Sequence, residues 1–216
     1  MMEPAIFGTA RDLIRGGKRS DAVDALMAAI PELPAEFVPK AYSHAGLAFY
    51  FAGKWPEAMS MFMVAANGSE VPEDWFNLAM SQVKLGDIPA AEANWQKTFD
   101  LSYAHQGAPE TSTFFMKKFL FAEALANAGA CGPVGLDLLE RQLLPFFPRG
   151  HVTDPSFWGL RGVPDYFSVM ELLFRYYRAL GKTRDDWTAL CGRVVPEVDS
   201  AGQAYAEELD AKWETP

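Results

Sequence analysis

Trp75-x2-Leu78-Ala79-x2-Gln82, followed by Gly86 and Ala91-x3-Trp95, is written on the same template as Tyr42-x2-Ala45-Gly46-x2-Phe49, Gly53 and Ala58-x3-Phe62. Each matched position lies 33 residues beyond its counterpart, so the stretch from Pro39 to Tyr103 carries a true period. The period has a physical meaning. Small residues (Ala45, Gly46, Ala58, Ala79, Ala91) stand where two helices approach closely, and large ones (Tyr42, Phe49, Phe62, Trp75, Trp95) fill the space between neighbouring hairpins. Gly53 and Gly86 supply the left-handed residue that ends a helix. Pro56 and Pro89 fall in the first turn of each second helix, where a missing N–H costs nothing. One hairpin cannot bury its apolar face alone, so stacking is obligatory and at least three repeats are expected.

The template resembles the tetratricopeptide (TPR) pattern W-x2-L-G-x2-Y…A-x3-F…P, whose period is about 34 residues. The resemblance implies an all-α, right-handed superhelix of helical hairpins and a scaffold that binds other proteins rather than an enzyme. It extends outward from the two clear copies. Residues 3 to 36 hold a weaker copy, with Ile6-x2-Thr9-Ala10-x2-Leu13, Gly17, Ala22-x3-Leu26 and Pro34, and Ser20 with Asp21 is placed to cap its second helix.

Beyond Tyr103 the pattern degrades without stopping. An apolar helix is predicted from about Thr113 to Ala128, with Gly129 at its turn, and Pro133 opens its partner through Leu136, Leu139 and Leu143. A further hairpin runs from Asp165 to Leu180, turns at Gly181, and returns from near Asp185 through Trp187, Leu190 and Val194. The wider spacing of these turn glycines reflects insertions at 104–112 and 147–164. From Ser200 to Trp213, Ala201, Tyr205, Leu209 and Trp213 recur every fourth residue, the mark of an amphipathic helix suited to cap a repeat stack. The expectation is about five repeats and about eleven helices in one domain, 1–216. Its clear repeats occupy 3–105, its degenerate repeats 106–198 and its cap 199–214.

Composition narrows the function. Half the 216 residues are hydrophobic and 13% aromatic, which excludes a disordered chain. No apolar run approaches the ~20 residues of a membrane span. The opening Met-Met-Glu-Pro-Ala has no secretory signal character, and the two cysteines, Cys131 and Cys191, show no CxxC spacing. A cytoplasmic protein with reduced thiols is expected. A net charge of −9 repels phosphate backbones, so nucleic acid is not the expected partner.

Motifs for nucleotide, metal or nucleophile chemistry are missing from the sequence, and no catalytic residue, metal or cofactor is expected. His44 falls inside a first helix, where a packed histidine is the ordinary outcome, and His105 lies in the first insertion. The second insertion, 147–164, is long for a compact domain. Its Phe157, Trp158 and Leu160 either tuck over the degenerate repeats or line a site, and His151, Asp154 and Arg161 leave room for an enzyme or small-ligand reading.

The resemblance assigns an inner surface to the first helix of each repeat. Carried over by position, it comprises Pro4, Phe7, Arg11, Ile14 and Arg15, then Lys40, Ser43, Leu47, Tyr50 and Phe51, then Glu73, Phe76, Met80, Val83 and Lys84. In the degenerate repeats it gives Met116, Phe119, Glu123, Ala126 and Asn127, then Ser168, Glu171, Arg175, Arg178 and Ala179. The expected partner-binding groove is Arg11, Arg15, Leu47, Tyr50, Phe51, Phe76, Met80, Lys84 and Phe119. Six basic residues face three acidic ones along these positions, which suits an amphipathic protein segment bearing acidic residues. The family's clamp for a C-terminal carboxylate is absent, because its positions hold Phe7, Arg11, His44, Glu73 and Asn77. A chaperone-like adaptor is the leading reading, and a self-assembling scaffold with a neighbour's helix in the groove remains beside it.

Overall fold

The structure, a computed structural model, describes residues 2–106, 112–147, 153–160 and 162–214. Among them all regular structure is helical. The chain divides into two compact units, Met1–Pro109 and Glu110–Pro216.

The first unit is three successive hairpins: α1 (Ile6–Arg15) with α2 (Arg19–Ala29), α3 (Val38–Phe51) with α4 (Trp55–Gly68), and α5 (Pro72–Leu85) with α6 (Ile88–Gln106). Gly17, Gly53 and Gly86 all take positive φ, 78°, 74° and 80°. At each, the residue after the glycine donates its N–H to the carbonyl four residues before it: Lys18 to Leu13 (2.9 Å), Lys54 to Phe49 (3.0 Å) and Asp87 to Gln82 (3.0 Å). That is the Schellman closure, and it needs a residue free of the Cβ penalty at the left-handed position.

The turns are so short that the residue following the glycine is already the N-cap of the next helix. Capping of α2 therefore differs from expectation. Lys18 occupies the cap and gives no side-chain bond, while Ser20 and Asp21 lie within the first turn. In the third hairpin the equivalent residue is Asp87, and its carboxylate accepts from the Ala90 N–H (3.3 Å).

Close approach inside the second hairpin depends on Gly46, where a Cβ would stand 2.6 Å from the Phe62 ring. Phe62 is fully buried with Ala58, Ala66 and Leu78, while Phe7, Ala10, Leu26, Ala41 and Ala45 form the core between the first two hairpins. Trp95 is buried as expected, at 4% exposure. Trp75 is only half-buried, and the Lys97 ammonium lies 5.9 Å over its ring.

In the second unit α7 (Ser112–Asn127) turns at Gly129 (φ 70°) into α8 (Pro133–Asp137). That helix continues as a π-helical stretch, Leu138–Leu143, and a 3-10 turn, Leu144–Phe146, neither of which the sequence pattern predicts. The reason is visible in the burial. Leu138 with Leu143, and Leu139 with Leu144, are all buried, and only an i→i+5 winding sets residues five apart on one face. A short α9 (Pro155–Gly159) lies within the second insertion, then α10 (Tyr166–Ala179), a turn at Gly181 (φ 65°), α11 (Arg184–Val194) and α12 (Ser200–Ala211). Side chains cap these helices: Asp154 for α9, Asp165 for α10, a Thr183–Asp186 capping box for α11 and Asp199 for α12.

α10 is the centre of this unit, with eight buried residues. Tyr176, fully buried, donates to the Ala122 carbonyl of α7 (2.8 Å), and α8 passes so near that a Cβ on Gly135 would collide with its hydroxyl.

Two outcomes follow for denaturant unfolding. Trp95→Ala should lose about 3–5 kcal/mol as a large core truncation. Gly135→Ala should also destabilise, by roughly 2 kcal/mol or more through overpacking against Tyr176. Helix propensity alone would make it more stable by about 1 kcal/mol, so the sign of the change decides.

Candidate functional site

In the first unit the carried-over positions on α3 and α5 build an aromatic cluster. Tyr50 packs edge-on against Phe51 (6.0 Å between ring centroids) and against Trp55 (4.9 Å), and the Lys84 ammonium lies 5.7 Å over the Trp55 ring. Phe51 is 55% exposed. Leu47 and Tyr50 are half-buried on the Phe62 core, and Phe76 sets its ring edge-on to Trp95 at 6.2 Å. Met80 is half-buried. The sequence reading misses Trp55, which opens α4 and so lies outside the first-helix positions; its signal is an aromatic directly before Pro56 at a helix start.

The basic rim is altered by a residue that precedes α1. Glu3 accepts from Arg11 (3.4 and 3.5 Å) and pairs with Lys40, and both partners hold its carboxyl below the ordinary range. Part of the expected excess of positive charge is thereby offset. Arg15 is exposed in the last turn of α1. Phe7 is not on the surface: it is fully buried, with Phe37 and His44 against its ring and Lys40 over it. His44 is a packed histidine, with Nδ1 3.0 Å from the Lys40 carbonyl and burial pulling its pKa down.

Phe119 belongs to the second unit, half-buried on that unit's core. There, five of the carried-over positions, Ala126, Glu171, Arg175, Arg178 and Ala179, line one cavity of about 730 Å³.

His151 and Arg161 lie outside the described residues, as do 107–111 of the first insertion; Ala104 to Gln106 continue α6 and Ser112 opens α7. The described part of the second insertion tucks inward. Trp158 is 4% exposed and packs on Phe146 and Phe147 (5.3 Å each), while Thr153, fully buried, donates both its N–H (2.9 Å) and its hydroxyl to the Asp199 carboxylate. Leu160 alone of the three apolar residues stands out, 88% exposed. Asp154 is occupied as the cap of α9, accepting from Ser156 N (2.7 Å). Burial raises both thiols, Cys191 to about 11, so neither is an activated nucleophile. Among the described residues no three His, Cys, Asp or Glu side chains gather as a metal site, and no helix is long and apolar enough to cross a membrane.

The arrangement of hairpins is that of TPR-like repeats. The chain is similar to a crystal structure of the nearly identical TPR-like repeats of a Podosopora anserina protein described as a kinesin light chain. Identity is 16%, the TM-score is 0.65, and the match covers 98% of this chain and 96% of that one. A variant of the same repeats carrying a Gln-to-Met substitution matches at 18% identity and a TM-score of 0.65, over 94% and 95% of the two chains. No family profile and no curated protein matches the sequence.

One buried acid marks the junction of the second and third TPR-like hairpins. Asp74 on α5 is 4% exposed and accepts from Ser69 Oγ (2.9 Å). Burial raises its pKa above the ordinary value; hydrogen bonds from Ser43 of α3 and from Ser69 oppose that rise, neighbouring Glu73 adds to it and His44 slightly reduces it. The group binds its proton more tightly folded than unfolded. Its contribution to stability is therefore complete below the unfolded pKa and is lost as pH rises through the folded one. Asp74→Asn keeps an acceptor for Ser69 and removes the titration. In thermal melts from about pH 4 to about pH 8 the variant should gain on the wild type as pH rises and be the more stable above neutrality. A difference independent of pH would show that the carboxylate is not the titrating group.

Proposed function

We propose that this chain is a protein–protein interaction scaffold, an adaptor or chaperone-like protein of the cytoplasm that holds a partner peptide or helix against the first-helix faces of its repeats. It is read as non-catalytic and without cofactor. The observation that carries the reading is the exposed Phe51 beside Tyr50, which in turn packs on Trp55 with Lys84 over the Trp55 ring, on helices whose other faces form the core. A large exposed aromatic on a rigid element, in a ring cluster that carries a cation, has the make-up of an interface anchor. Leu47, Phe76 and Met80 extend the apolar surface, and Arg11 and Arg15 supply its rim. The partner would be amphipathic with acidic residues, since Lys84 and Arg15 add positive charge to these faces while Arg11 is shared with Glu3. The TPR-like fold supports a scaffold in general terms.

The test is a paired substitution at exposed positions. Phe51→Ala combined with Lys84→Glu removes little from the core, so the circular dichroism spectrum and the melting temperature should stay close to the wild type. In quantitative cross-linking and mass spectrometry, partners held by this face should lose about tenfold or more in recovery, as expected for an aromatic anchor above ~2 kcal/mol. Partner recovery identical to wild type would move the binding surface away from α3 and α5.

A further inference from the structure

The 730 Å³ cavity of the second unit is lined by more basic than acidic side chains. Arg175 and Arg178 on α10 and Lys212 just after α12 converge on it, with Glu171 as the acid in the lining, in a chain of net charge −9. Three of these four groups are already engaged. Arg178 donates to the Trp213 carbonyl (2.7 Å) and lies over the Phe174 and Trp213 rings. Lys212 pairs with Glu208 (2.8 Å), and Glu171 accepts from the Tyr205 hydroxyl (2.9 Å). Arg175 differs. Its guanidinium donates to the Asn127 amide oxygen (3.0 Å), and among the described residues no carboxylate stands within ion-pair distance of it.

The floor beneath these cations is apolar: Ala126 and Phe174 are 8% and 9% exposed. Arg178 is pinned between two rings and two carbonyls, so its positive charge is held in place at the cavity without needing a ligand to order it. Arg175 presents a planar fork of donors, with one tine fixed by Asn127 and the geometry suited to a planar carboxylate.

We propose that this cavity is a carboxylate-binding subsite, in which Arg175 receives an aspartate or glutamate side chain of a partner peptide and an apolar residue of that peptide lies on Ala126 and Phe174. The occupant follows from the complementarity of Arg175 and an apolar floor on an acidic chain: a purely apolar peptide leaves Arg175 unmatched, and a basic one is repelled by it. The inference shares with the reading above the idea that repeat faces take a protein segment. It rests on different residues in the other unit, so the two fail separately.

The probe is a capped, fluorescein-labelled peptide of about ten residues of glutamate and leucine, compared by anisotropy with the same peptide carrying glutamine for glutamate. The glutamate peptide should bind the full chain and weaken with added salt, and the glutamine peptide should not bind measurably. Arg175→Gln, at an exposed position where the amide can still donate to Asn127, should keep the fold and lose about tenfold or more in affinity. Arg193→Gln, which removes an exposed guanidinium paired with Glu140 elsewhere in the unit, should bind as wild type. Equal binding of the two peptides, no binding of the glutamate peptide at millimolar concentration, or an Arg175→Gln variant that binds like wild type would each overturn the subsite. Loss of binding in the Phe51→Ala/Lys84→Glu protein with Arg175→Gln unaffected would overturn it in favour of the first-unit face. The reverse pattern would uphold the subsite and count against that face.

Discussion

A single backbone hydrogen bond recurs at the end of five first helices and sets the shape of everything around it. At Gly17, Gly53, Gly86, Gly129 and Gly181 the following N–H returns to the carbonyl four residues before the glycine, at 2.9 to 3.0 Å. The closure satisfies carbonyls that a helix end would leave open, and it reverses the chain within about two residues. An abrupt reversal forces the two helices of a hairpin into contact along their length. That contact in turn demands a small residue wherever the axes come nearest, as at Gly46 against Phe62. Small residues on one face then leave large ones to fill the gaps between hairpins. The period of the sequence is the record of these linked demands.

The two units solve the problem of starting the next helix differently. In the first unit the turn is so tight that the capping position falls to whatever follows the glycine, and α1 to α5 have no side-chain cap. Proline in the first turn of α3, α4 and α5 presets the backbone there. In the second unit α9, α10 and α12 begin after longer links, so an Asp can be placed at each start, and α11 carries a Thr–Asp box two residues after Gly181. Asp199 serves twice, capping α12 and holding Thr153 of the second insertion. Its burial acts to raise the carboxyl, but the hydrogen bonds from Thr153 and the α12 backbone win and hold it below its ordinary range. The described part of the insertion is held to the unit by that carboxylate at Thr153 and by the buried Trp158.

Polar groups inside the repeats show where packing overrides the local preference for water. Asp74 remains buried because Ser43 and Ser69 donate to it, and His44 packs against Phe7 because its Nδ1 finds the Lys40 carbonyl. Glu3 draws Arg11 and Lys40 together at the first-hairpin rim, while Arg175 keeps no such carboxylate partner among the described residues. The two parts of the carried-over surface therefore differ in kind. One is an aromatic face whose charges are partly matched from within, the other a cavity where Lys212 is paired with Glu208 and Arg175 has no carboxylate partner among the described residues.

The sequence by itself determined the hairpins, because glycine, alanine, proline and aromatic residues at a 33-residue spacing have one economical arrangement: turn, contact, start and filler. It determined five of the six left-handed glycines among the described residues, Gly162 being the exception, the helix after each of those five and the amphipathic α12. Tertiary structure alone decided which surface positions stay open. Phe7 and Phe51 both occupy expected groove positions, yet one is fully buried and the other 55% exposed, because the side chains that reach Phe7 come from Phe37 and His44, 30 and 37 residues further along the chain. The π-helical winding of Leu138–Leu143 likewise arises from the need to bury leucines five apart, which a window of local propensity does not register. Periodicity encodes contacts between neighbours in sequence; exposure is set by groups that only the folded chain brings within reach.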